Sequence, residues 1–356
     1  MNATRQPADN VAPRAAVFLL LTIVGLFYVK WLPYYNRAFV AAADHTIGTS
    51  ILMGAASAPP APSWDAAFAY ALAYGKAIWQ AMVLGLLLGS AIQALLPVDW
   101  IARAFGKTGF GSVAVAGALS IPSMMCTCCA APVVVGLRAR QASPGAAIAF
   151  WLGNTILNPA TLVFMGFVLG WNWAALRVVF GVLMVSGVGY LVNLTVTPRE
   201  AAEGQAELSK LTANSEGSDS TSHPLLRWID IFVRMAVRLI PEYIVIVLLI
   251  GGARAWLFPA ISPEIGNDIG WILAFAVAGM LFVIPTAGEV PIIQAMLSLG
   301  IGVGPAVALL MTLPPVSLPS LVMVARSFRL RVLLFVAAAV VAIGIACGLL
   351  AVALNF

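Results

Sequence analysis

The chain has 356 residues, of which 62% are hydrophobic and only 9% charged, with a formal net charge of +5. Its mean hydropathy is +0.98. So little charge cannot cover a soluble domain of this length, and the basic residues lie in loops beside apolar runs, which excludes a nucleic-acid-binding reading and indicates a polytopic membrane protein with the lipid bilayer as its main partner. The apolar runs lack the alternation of a β-barrel, so the expected class is all-α.

The first run, "AAVFLLLTIVGLFYV" (15–29), is short enough to resemble a signal peptide, and "AAA" at 41–43 could serve as a cleavage site. Lys30 and Arg37 intervene, and Trp31, Tyr34 and Tyr35 form an aromatic belt. We therefore read 1–64 as a retained N-terminal span followed by a periplasmic connection. Residues 65–196 form a first half, and 197–226 a polar linker rich in Glu, Ser, Ala and Gly on the cytoplasmic side. Residues 227–356 form a second half.

The halves share their punctuation. Pro97, Pro122, Pro132, Pro144 and Pro159 correspond to Pro259, Pro285, Pro291, Pro305 and Pro319, at offsets of 162, 163, 159, 161 and 160. Corresponding loops differ in charge. Arg103 and Lys107 stand against Glu264 and Asp268, and Arg138 and Arg140 against the uncharged "SLGIGVG". "GWNWAALR" stands against a loop holding Arg326, Arg329 and Arg331. Opposite charge bias places corresponding loops on opposite sides, so the expected architecture is two inverted repeats with Pro-broken or re-entrant helices at 109–138 and 269–297.

Irregular backbone at membrane depth occurs where it lines a cavity or is buried in protein. The first break holds Cys126, Thr127, Cys128 and Cys129 ahead of Pro132; the second, "GNTILNP", holds Asn154 and Asn158. Their partners in the second half are "PTAGEVP", with Thr286 and Glu289, and "TLPPVSLPS", with Ser317. Cys126, Cys128, Cys129, Asn154, Asn158, Thr286 and Ser317 are the candidate substrate-binding residues. Glu289, a carboxylate in an apolar stretch, is the candidate proton carrier, with Lys76 or Arg238 as candidate partners. The other reading of the Asn, Ser and Thr set is close helix packing.

Three thiols in four positions lack a fourth ligand for a structural zinc site, since His45 and His223 lie in loops. They suit a soft metal or metalloid, such as Cu(I) or trivalent arsenic, through Cys126, Cys128 and Cys129. The Cys126–Cys129 spacing also admits a membrane thiol-disulfide oxidoreductase, with Cys347 as the remaining thiol. No resident cofactor and no P-loop is expected, so the chain itself is not read as an ATP-hydrolysing enzyme. Its oligomeric state is open.

"PGAAIAFWLGNTILNPATLVFMGFVLGW", the Cys-rich break and "GVGPAVALLMTLPPVSLPSLVMVARSFRLRVL" together resemble the predicted permeases of the ArsP family, over roughly 65–350. The resemblance implies an inner-membrane permease of a bacterium that exports trivalent organoarsenicals and confers arsenic resistance. Family members commonly carry a Cys-x-Cys-Gly motif at this break. The paired thiols then correspond to Cys126 and Cys128, and Cys129 stands in place of the glycine.

Overall fold

The computed structural model describes residues 11–53, 58–195, 224–258, 264–354 and 356. The expected linker lies almost wholly outside them. The described residues are helical and contain no strand, as composition predicts. Five segments among them are long and apolar enough to cross a membrane: 11–44, 64–95, 144–168, 171–195 and 330–353.

Helix α1, Val11–Asp44, carries a π-turn at Phe27–Trp31. The extra residue of such a turn re-aims the side chains that follow, and here Lys30 is buried. Helix α2, Trp64–Leu95, starts at the Ser63 cap, whose side chain accepts from the Ala66 N–H. Short helices follow: α3 (Val98–Phe105), α4 (Phe110–Ser120) and α5 (Thr127–Ala139). A sharp bend of 108° falls between α3 and α4. Then come α6 (Pro144–Ile156), α7 (Pro159–Val168) and α8 (Trp171–Thr195). Proline at the first position of α6 and α7 starts each helix where its missing N–H costs nothing, and Ser143 and Asn158 cap them. Pro132 lies deeper, at the sixth position of α5, so it cannot donate to the Cys128 carbonyl.

The second half holds α9 (Pro224–Leu257), α10 (Ile269–Leu281), α11 (Glu289–Ser298), α12 (Val303–Thr312), α13 (Leu318–Val324) and α14 (Leu330–Ala353), an order like that of α2 and α4–α8, with no counterpart of α3 among the described residues. Even the strained backbone repeats. Met124 and Ala287 both have positive φ (48° and 67°), as do Gln141 and Gly300 (69° and 88°). A non-glycine residue in that region costs about 1–2 kcal/mol, so the breaks at 124 and 287 are held by their surroundings.

Contacts between the halves are reciprocal. Helix α5 rests on α13 and α11 on α7, while α2 pairs with α9. The corresponding helices α2 and α9 run antiparallel: Ser90 meets Trp228, Tyr74 meets Tyr243, and Tyr70 meets Gly251. The approach of α2 to α5 is closer still. A Cβ on Gly85 would stand 2.0 Å from the Cys129 carbonyl oxygen, and one on Gly89 2.2 Å from that of Pro132.

Arg138, expected in a loop, is buried at the end of α5. It donates to the carbonyls of Ala142 (2.5 Å) and Ser327 (3.3 Å) and lies over the Phe328 ring. Burial follows because the α5 and α13 ends meet there, and the guanidinium satisfies backbone carbonyls of both. Arg138→Met is expected to destabilise by about 1.5–3 kcal/mol, and Arg138→Lys to restore only part, because the fork and the stacking need a planar group. Thermal unfolding in detergent reads the difference.

Candidate functional site

The backbone breaks of the two halves meet in the interior. Thr127 lies 3.3 Å from Ser317 through their hydroxyls, and its carbonyl accepts from Trp151 Nε1 (3.0 Å). Cys126 caps α5 from an extended conformation, its carbonyl accepting from the Ala130 N–H. Beside it lies a small cavity of about 10 Å³, lined by Cys126, Thr155, Thr161, Thr286, Glu289 and Pro314 among others. That space approaches the size of a single water. The Thr161 hydroxyl on its wall is buried with no hydrogen-bond partner.

The three thiols have different surroundings. Cys126 faces the cavity, and its sulfur lies 2.8 Å from that of Cys129 and 3.8 Å from that of Cys128. Cys128 turns toward α2, with Sγ 3.0 Å from the Tyr74 hydroxyl. Tyr74 in turn stacks on Tyr70 and packs obliquely on Tyr243. All four cysteines are free thiols, and Cys347 is buried in α14. Among the described residues, no group of three or more His, Cys, Asp or Glu side chains is arranged to hold a metal ion.

Glu289 is buried, as its setting in an apolar stretch requires, but its partner is neither Lys76 nor Arg238. Arg177 Nη1 lies 2.7 Å from Glu289 Oε1, with both side chains withdrawn from solvent. The same guanidinium donates to the carbonyls of Thr155 (2.7 Å) and Ile156 (3.0 Å) at the end of α6. The helix ends explain the choice. The last carbonyls of α6 lack intrahelical partners and attract a cation, while Glu289 is the first residue of α11, where the helix field favours an anion. "GWNWAALR" was read as a loop, whereas Arg177 sits inside α8. The signal available was a lone arginine with an apolar run on its far side.

The other expected site residues divide. Thr286 lines the cavity and accepts from Lys30 Nζ (3.1 Å). Asn158 spends its Oδ1 on the N–H groups of Ala160 and Thr161, leaving Nδ2 buried without a partner. Asn154 donates to the Phe150 carbonyl (2.6 Å) and contacts Ser123. Ser317 forms a reciprocal cap with Ser320. Cys126, Thr286 and Glu289 therefore share one cavity, while Asn154, Asn158 and Ser317 hold the breaks that surround it. Lys30 joins the site from α1, which the aromatic-belt reading had placed at the membrane surface.

The chain is 48% identical over 338 residues to UPF0718 protein YraQ of Escherichia coli (strain K12), covering 95% of this chain and 94% of that one. It is 24% identical over 308 residues to UPF0718 protein MJ0584 of Methanocaldococcus jannaschii, covering 69% and 84% respectively. No solved structure matches. Residues 63–353 match the ArsP_1 family, described as a predicted permease, so this polytopic helical protein belongs to that family of membrane permeases.

Proposed function

We propose that the protein is an inner-membrane exporter of a thiophilic solute, with trivalent organoarsenicals as the substrate class. The observation that carries this reading is that a free thiol, Cys126, and Glu289, itself ion-paired with Arg177, line one cavity between the halves. A soft thiol captures the solute by ligand softness. Cys128 and Cys129 stand close enough to supply further sulfur once the cavity widens. Glu289 couples the cycle to protons, and its protonation frees Arg177 to let α11 move relative to α6. The antiparallel pairing of α2 with α9 and the reciprocal contacts between halves support inverted repeats that alternate access by rocking.

Titration of the purified protein with phenylarsenite and, separately, Cu(I) tests the reading. Wild type is expected to bind about one phenylarsenite, a Cys126/Cys128/Cys129→Ser variant none, and Cys347→Ala as much as wild type. Preference for Cu(I) would keep the permease and replace its solute. Equal binding by the serine variant would overturn the thiol site.

The 2.8 Å approach of Cys126 to Cys129 favours one rival, a thiol-disulfide oxidoreductase. That rival requires a further thiol, so loss of activity in Cys347→Ala would select it.

A further inference from the structure

A second cavity, of about 280 Å³, adjoins the first and shares Pro285, Thr286 and Ala287 as a common wall. Its mouth carries Arg37 and Thr49, both exposed, and its floor carries Lys30, buried beside Tyr34. The chamber therefore narrows from an exposed guanidinium to a buried ammonium.

Neither cation has an acidic partner among the described residues. Lys30 donates to the hydroxyls of Tyr34 (3.3 Å) and Thr286 (3.1 Å), and Arg37 to the Ile47 carbonyl. The titratable groups that act on Lys30 are Tyr34, Cys126 and Cys129, and no carboxylate is among them. A buried ammonium held by two hydroxyls and the face of the Tyr34 ring has no counter-charge, and an anion entering the chamber supplies one. The size suits a compact ion or a single small ring.

The geometry points to an anion-binding vestibule formed by Lys30, Arg37, Tyr34 and Thr286, so that the solute of this permease is an anion with a thiophilic end. The inference rests on the thiol-site reading for the second half of that statement only. An anionic group seated at Lys30 leaves the other end of the solute directed at the 285–287 wall, behind which Cys126 lies. Cys126 and Cys129 are within electrostatic range of the same ammonium. Softness would then select the element, and the Lys30–Arg37 pair would select the charge.

Three probes separate the parts: phenylarsenite, 4-carboxyphenylarsenite and benzoate, each titrated calorimetrically into the full-length protein in detergent. Wild type is expected to bind the carboxylated arsenical about tenfold or more tighter than the neutral one, the size of a charged hydrogen bond. Lys30→Met and the exposed-site variant Arg37→Gln should each shrink that preference, Arg37→Gln leaving phenylarsenite affinity nearly unchanged, and Lys30→Arg should restore it. Equal affinity of wild type for both arsenicals overturns the vestibule. So does a Lys30→Met variant that weakens both probes alike, since Lys30 would then serve the thiols and not the solute. Lys30-dependent benzoate binding by a protein that ignores phenylarsenite keeps the anion site and overturns the thiol reading. Cys126-dependent phenylarsenite binding with no carboxylate preference does the reverse.

Discussion

Glu289→Leu is expected to cost about 3–5 kcal/mol of stability, because Arg177 then keeps a buried charge with no counter-ion. Arginine cannot shed its proton to escape. The double variant Arg177→Met/Glu289→Leu should recover a large part of that loss, since a well-packed apolar pair replaces an ion pair at little net cost. Recovery stays incomplete because the Thr155 and Ile156 carbonyls lose their donor. Thermal unfolding of the three proteins in detergent measures the coupling, and additive losses would show that the pair is not energetically linked. Glu289→Gln keeps the shape and an acceptor. It still leaves Arg177 without a counter-charge, so it should lose stability, though less than Glu289→Leu, and it should abolish uptake of phenylarsenite into inside-out vesicles driven by a proton gradient.

The second large effect needs no residue of the cavity. Gly85→Ala places a methyl group 2.0 Å from the Cys129 carbonyl oxygen, a backbone atom that cannot rotate aside. Helix α5 must shift bodily, at a cost of about 1–3 kcal/mol or more, and it carries the thiols with it. Gly89→Ala meets the Pro132 carbonyl in the same way. Both variants should lose phenylarsenite binding with every cysteine in place. Gly75→Ala on the same helix meets nothing within 4 Å and should be neutral or slightly stabilising. If Gly85→Ala bound like wild type, the backbone contact of α2 with α5 would not set the position of the thiols.

The broken helices were legible because proline and glycine act locally. Pro144, Pro159 and Pro319 fix helix starts by removing a donor, and the structure starts α6, α7 and α13 at or one residue before them. Burial of Glu289 was legible for a similar reason, from its apolar flanks. Its partner was not, because Arg177 is 112 positions away and pairing depends on how α8 crosses the end of α6. Loop-charge counting misplaced Arg177 and Arg138 because it treats every arginine near an apolar run as solvated. Lys30 escaped for another reason: the π-turn that turns it inward has no sequence marker as plain as a proline. Asn154, Asn158 and Ser317 were assigned to the right breaks, but sequence alone could not tell an oxygen facing a cavity from one spent on capping.

The strained positions Met124 and Ala287 open two breaks whose helices pack reciprocally, so the backbone is similar on the two sides of the cavity. Were the side chains equally alike, the two breaks would be chemically equivalent. The side chains remove that equivalence. Glu289 and the cysteine segment follow the two strained residues Ala287 and Met124, and only the break at Ala287 carries a carboxylate. The buried Glu289–Arg177 pair therefore makes the two breaks electrostatically unlike. It is the charge around this cavity, and not its backbone, that is lopsided.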